Sequence, residues 1–146
     1  MDIAKLNEFG ARYTAAWCSQ DAASVAAFFA EQGSLTINDG TPSVGRTAIT
    51  AAAQGFMTAF PDLVVVMDSV RANGATMYYR WTLTGANTGP DGSGRRVRIS
   101  GYEEWTFGPD GLIARSLGYF DEAAYGAQLQ GAGGERFPTC SPSAEG

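Results

Sequence analysis

The sequence of 146 residues contains no histidine, only two cysteines, and 10 lysines and arginines against 15 aspartates and glutamates. Each shortage excludes something. Without histidine, both the commonest metal ligand and the commonest general base are missing, which leaves carboxylates, phenols, arginine or bound water for any chemistry. Cys18 falls in a helical pattern and Cys140 in a stretch rich in Ser, Pro and Gly, so neither a disulfide framework nor a zinc site is suggested. The formal net charge is −5, and the only basic run, Arg95-Arg96-Val97-Arg98, is too short to hold a phosphate backbone, so no nucleic-acid partner is expected. No apolar stretch approaches the roughly 20 residues of a membrane span. The opening Met1-Asp2-Ile3-Ala4-Lys5 lacks the profile of a secretory signal, and the expectation is a cytoplasmic protein without a membrane partner. The acidic residues show no metal-site spacing, and Gly89 to Gly94 lacks the Lys-Ser/Thr and helix of a phosphate loop, so no cofactor is expected.

What the chain does have is a 45% hydrophobic composition, enough for one domain with a real core. Leu6, Gly10, Tyr13 and Trp17 recur at helical spacing and predict a first helix over residues 2–17. Ser19 or Asp21 is placed to cap a second helix with Val25, Phe28 and Phe29 on its apolar side, and Gly33 falls where that helix would end. A short strand over 34–37 and a loop over 38–42 follow. Ile49, Ala53, Phe56, Met57 and Phe60 then mark a third helix, which Pro61 stops. From Leu63 onward the residues are of strand type: a run toward the Asn73-Gly74 hairpin, a strand over 75–84, a loop over 85–94, and strands over 95–107 and 112–120. Asp121 can cap a closing helix to about Gln130. The organisation expected is one domain over residues 1–130 and a flexible C-terminal tail over 131–146.

Hairpin-linked strands pair antiparallel, and apolar helices bury themselves on one face of the resulting sheet. The fold class is therefore α+β. A cone-shaped, strongly curved mixed or antiparallel sheet is covered on its concave face by three N-terminal helices, with a short C-terminal helix.

Several segments together carry a resemblance. They are Arg12-Tyr13 with Trp17, Asp21 and Phe29-Ala30-Glu31; Gly45-Arg46; Ala59-Phe60-Pro61-Asp62-Leu63; Trp81 to Gly89 followed by Gly94-Arg95-Arg96-Val97; and Phe107 to Ile113 followed by Tyr119-Phe120-Asp121. This set resembles the SnoaL-like polyketide cyclase family of the nuclear-transport-factor-type, cystatin-like α+β superfamily. The resemblance implies an apolar small-molecule ligand inside the cone and acid–base groups on its walls. It puts the cyclases' last-strand aspartate at Gly118 and their companion histidine at about Glu104. The arginine of the epoxide hydrolases falls at Arg80, and the helix tyrosine of the ketosteroid isomerases at Tyr13.

Strand alternation groups these positions by face. If Gly118 lines the cavity, Ser116 and Phe120 do too. One register adds Tyr78, Arg80 and Thr82 with Ser100, Tyr102 and Glu104, and turns Trp81, Leu83, Trp105 and Phe107 outward, where they would call for a homodimer through the outer sheet face. The competing register buries Trp81 and Trp105 under the helices and exposes Arg80 and Glu104; period alone does not choose. In the first register Glu104 is the acid–base group, with its pKa raised by desolvation, while Arg80 and Tyr13 orient and stabilise an anion. Glu104 could equally be an exposed strand residue, Arg80 its structural ion partner, and Tyr13 a packed core phenol. Ligand contacts are expected from Trp17, Phe28, Phe56, Met57, Tyr78, Tyr102, Gly118 and Phe120, with Asp39 at the mouth or simply in a turn. The function expected is cofactor-independent cyclisation, isomerisation or hydration of an apolar carbonyl-bearing or polycyclic compound. The alternative is a non-catalytic ligand-binding or dimerisation module.

Overall fold

The computed structural model describes residues 2–130. Helix α1 (Ile3–Cys18) starts where the Asp2 carboxylate accepts the Lys5 N–H at 2.8 Å, a side-chain N-cap. It turns Leu6, Phe9, Tyr13 and Ala16 into the core. Helix α2 (Ala22–Ala26) is only five residues long, shorter than its apolar pattern predicted, because the chain leaves helix at Ala27 and Phe29 opens strand β1 (Phe29–Ile37). Gly33 accordingly lies within that strand rather than at a helix end. A Cβ there would stand 2.7 Å from the Ile113 carbonyl oxygen, at a register shift that only a bare backbone fits. A two-residue strand β2 (Ser43–Val44), which the sequence did not signal, leads to helix α3 (Arg46–Ala59). Strands β3 (Val64–Asn73), β4 (Thr76–Ala86), β5 (Arg96–Phe107) and β6 (Ile113–Phe120) and helix α4 (Glu122–Gln130) lie where the sequence placed them to within two residues. The expected tail over 131–146 lies outside the described residues, as does Cys140. No helix among the described residues is long and apolar enough to cross a membrane.

The strands form one curved six-stranded sheet in the order β2-β1-β6-β5-β4-β3. The sheet is mixed: β1 returns beside β6 in parallel, and the other neighbours are antiparallel. Helices α1, α2 and α3 cover the face to which Tyr79, Trp105, Ile113 and Phe29 point. A second apolar cluster, built on Phe60, Leu63, Leu83, Val97 and Ile99, continues the core toward α4.

The register is the competing one. Met77, Tyr79, Trp81 and Leu83 of β4 and Val97, Ile99, Glu103 and Trp105 of β5 face the helices. Arg80, Tyr78, Tyr102 and Glu104 therefore lie on the opposite face, which corrects their expected place in the cavity. Burying the indoles and aliphatic side chains of one parity is favourable, whereas burying Arg80 and Glu104 would strip charges of water. Trp105 is fully buried against Phe9, Tyr13 and Tyr79, stacking on the last at 4.8 Å and 16°. Trp81, Leu83, Trp105 and Phe107, whose outward placement argued for a homodimer, instead pack toward the helices, while Val64 and Val66 of β3 are exposed.

Candidate functional site

The position that counts is the one beside Glu104. Glu103 pairs across the sheet with Tyr79 of β4 and Gly118 of β6, on the parity that faces the helices. Its side chain is buried at 7% exposure, and it borders an apolar cavity of about 60 Å³. Trp17, Phe56, Tyr79, Trp81, Ile99 and Phe120 wall that cavity, with Gly118 beside the carboxyl group. A Cβ at Gly118 would meet only ordinary contacts, the nearest being Glu103 Cγ at 3.6 Å, so no steric clash requires glycine beside the Glu103 side chain.

The carboxyl group is held asymmetrically. Oε1 accepts from Ser116 Oγ at 2.7 Å, Trp105 Nε1 at 2.8 Å and the Tyr13 hydroxyl at 3.1 Å. Oε2 accepts only the shared Tyr13 hydroxyl, also at 3.1 Å. Ser116 stands on β6 opposite Trp105, and both project to the helix-covered face. Tyr13 reaches down from α1, so three elements fix one carboxyl. Three donors converging on one oxygen lock the rotamer and leave Oε2 as the oxygen free to exchange a proton.

Burial raises the Glu103 carboxyl above its ordinary 4.5, opposed by the bonds from Trp105, Ser116 and Tyr13. Burial, and then the Glu103 charge, raises the Tyr13 phenol well above its ordinary 10.0, so it stays a donor. Burial likewise raises Tyr79, whose hydroxyl is bonded to Thr14. A raised carboxyl pKa means that the native state holds its proton more tightly than the unfolded chain. The associated stability is complete below about pH 4.5 and is lost as pH rises through the folded value. Thermal unfolding from about pH 4 to about pH 8 should thus show wild type losing stability relative to Glu103→Gln, whose amide does not titrate. Parallel curves would show that the carboxyl is not shifted.

Of the residues expected from the sequence, Tyr13, Trp17, Phe56, Gly118 and Phe120 gather at or around this cavity. Phe28 and Met57 pack in the core instead: Phe28 sits edge-on to Phe9 and Tyr13 under the Arg12 guanidinium, and Met57 is buried. Asp39 is exposed, in the turn after β1 with φ of 59°. Arg80 lies 5.3 Å above the Tyr102 ring, which in turn neighbours Tyr119 at 5.2 Å. Those groups border a separate, open depression on the outer face, and Tyr78 and Glu104 share that face with them. Glu103 was missed, although it shares parity with Val97, Ile99 and Trp105, a signal legible in the sequence. No three His, Cys, Asp or Glu side chains among the described residues are placed to share a metal ion.

The SnoaL-like domain profile matches residues 11–116. No curated protein matches the chain in sequence. Among solved structures, a polyketide cyclase candidate from Xanthomonas campestris pv. campestris superposes with a TM-score of 0.75 at 22% identity, over 86% of this chain and 97% of that one. A SnoaL-like polyketide cyclase candidate from Jannaschia sp. CCS1 gives 0.70 at 18%, over 88% and 96%. A hypothetical protein of ketosteroid isomerase-like fold from Catenulispora acidiphila DSM 44928, in complex with trimethylamine, gives 0.73 at 15%, over 84% and 92%. The superpositions confirm the curved-sheet architecture, and the profile match spans most of the chain from the first helix to Ser116: this protein belongs to the SnoaL-like domain family.

Proposed function

We propose that the protein is a cofactor-independent acid–base enzyme that binds an apolar, carbonyl-bearing or polycyclic molecule and moves a proton through Glu103. The observation that carries this reading is, among the described residues, a single carboxyl group bordering an apolar cavity, with one oxygen clamped by three donors and the other held only by Tyr13. Burial lifts such a carboxyl toward the range in which it can exchange a proton with a carbon acid or an oxygen. In the base direction, Oε2 takes a proton from a carbon beside a carbonyl. The Tyr13 hydroxyl, already in contact, then shifts its hydrogen bond toward the charge that develops. In the acid direction the same oxygen returns the proton. Arg80 and Glu104, across the sheet, take no part.

A second reading has its own support: a carboxyl with three buried donors is also what a purely structural glutamate needs, which favours a binding module that performs no chemistry. Deuterium exchange separates the two. Cyclohexanone in D2O, followed by proton NMR, should lose its α-protons faster with wild-type protein than in buffer, and Glu103→Gln should slow that catalysed rate by about a hundredfold or more. No acceleration by wild type, or equal rates for the two proteins, would remove Glu103 from any reaction of this kind.

A further inference from the structure

The walls of the cavity have a second chemical meaning. Six aromatic residues, among them Trp17, Phe56, Tyr79, Trp81 and Phe120, border one small space together with five aliphatic ones. Neighbouring walls meet at steep angles: Trp17 and Phe56 are 6.2 Å apart at 72°, and Trp81 and Phe120 are 6.1 Å apart at 65°. Rings set this way make corners rather than a slot for one flat molecule. Among the described residues the lining includes no lysine or arginine, and its one carboxyl group is Glu103. We propose that this chamber receives a small methylated ammonium group, with the aromatic walls around its methyls and the Glu103 carboxylate as its counter-charge.

Four points support that ligand class. Aromatic faces carry negative potential and attract a diffuse cation, and cages of rings are the recurring way in which quaternary ammonium is held. A methylated ammonium needs few or no hydrogen-bond donors from the protein; the hydroxyls of Tyr13 and Tyr79 are already engaged, by Glu103 and Thr14. Size agrees as well. The free volume of about 60 Å³ is several times the roughly 10–15 Å³ that a single water needs, which leaves room for a compact group such as a trimethylammonium head. The net charge of −5 favours approach of a cation over long range. This inference shares the cavity with the proton-transfer reading but requires no reaction.

Binding should depend on pH through Glu103. The titratable groups that face it are Tyr13 from α1 and Tyr79 from β4, while Tyr119 of β6 touches the cavity but turns toward Asp39 and Glu104 on the outer face; the portions of β1, β3 and α3 that line the cavity present only apolar side chains. The test titrates wild-type protein with tetramethylammonium chloride and, separately, with tert-butanol, its neutral counterpart of equal heavy-atom count, at matched ionic strength. Tryptophan fluorescence is the readout, since Trp17 and Trp81 border the site and Trp105 bonds to Glu103. Tetramethylammonium should saturate the signal with an affinity at least about tenfold above that of tert-butanol, and rising with pH as Glu103 ionises. Glu103→Gln should lose about tenfold in that affinity and all of the pH dependence, while retaining tert-butanol binding. Equal affinities for the two probes, the absence of saturation by tetramethylammonium, or an unchanged Glu103→Gln titration would each overturn the proposal. Because cyclohexanone exchange is measured without any cation, either reading can fail while the other stands.

Discussion

Trp105→Ala is expected to destabilise the protein by about 3–5 kcal/mol, the range for deleting a fully buried large aromatic side chain. Its indole touches more than apolar neighbours. It stacks on Tyr79, meets Phe9, Tyr13 and Phe107 edge-on, and donates to Glu103 Oε1 at 2.8 Å. Removal therefore opens a cavity and takes away one of the bonds that orient the carboxyl group. Glu104→Ala, one residue away on the outer face, should change stability by no more than about 0.5 kcal/mol. Urea unfolding of the two variants tests the register of β5 directly. Comparable losses, or a larger loss at Glu104, would mean that the strand presents its other parity to the helices.

The second large effect is at Glu103 itself. In Glu103→Ala the hydroxyls of Tyr13 and Ser116 and the Trp105 N–H lose their common acceptor while all three side chains remain fully buried. Each stranded donor costs about 1–3 kcal/mol, so a loss of about 3 kcal/mol or more is expected. Glu103→Gln keeps an amide oxygen where Oε1 stands and should retain most of the stability. The contrast between the two variants, read by denaturant unfolding below about pH 5, isolates hydrogen bonding from charge. If Ala and Gln proved equally mild, the three-donor arrangement would contribute nothing to the fold.

Much of the architecture was legible because it rests on local rules. The 3.6-residue recurrence of Ile49, Ala53 and Met57 with Pro61 beyond it, the Asn73-Gly74 turn, and Asp121, which accepts the Ala124 N–H at 3.0 Å, each act within a few residues. Helix α2 was less legible. Phe28 and Phe29 continue a helical pattern, yet Phe29 gains a strand partner at Ile113, more than eighty residues away. Pairing of that kind overrides local spacing and leaves no mark in the segment itself.

The candidate site was half legible. Tyr13, Trp17, Phe56, Gly118 and Phe120 come together as alternation and helical spacing suggested, but the carboxyl group was placed one residue too far along, at Glu104. Adjacent glutamates on a strand always face opposite ways, and a shift of one residue exchanges them. The inference that a carboxyl lines an apolar chamber survives; its owner changes, and Arg80 leaves the site with Glu104.

The sequence by itself determined α1, α3, α4 and the strands β3 to β6, the α+β class, and that any chemistry of this chain proceeds without a histidine of its own. It also limited the carboxyl candidates on β5 to two neighbouring glutamates. Only the tertiary structure decided between them. The choice depends on the sum of side chains across strands that meet in space, with Tyr79, Trp105 and Ile99 buried and Trp81 half-buried on the helix-covered face together. Glu103 is admitted to that apolar company because Tyr13, Trp105 and Ser116, brought in from three separate elements, satisfy its oxygens. No single segment contains that sum, so no reading of one segment could return it.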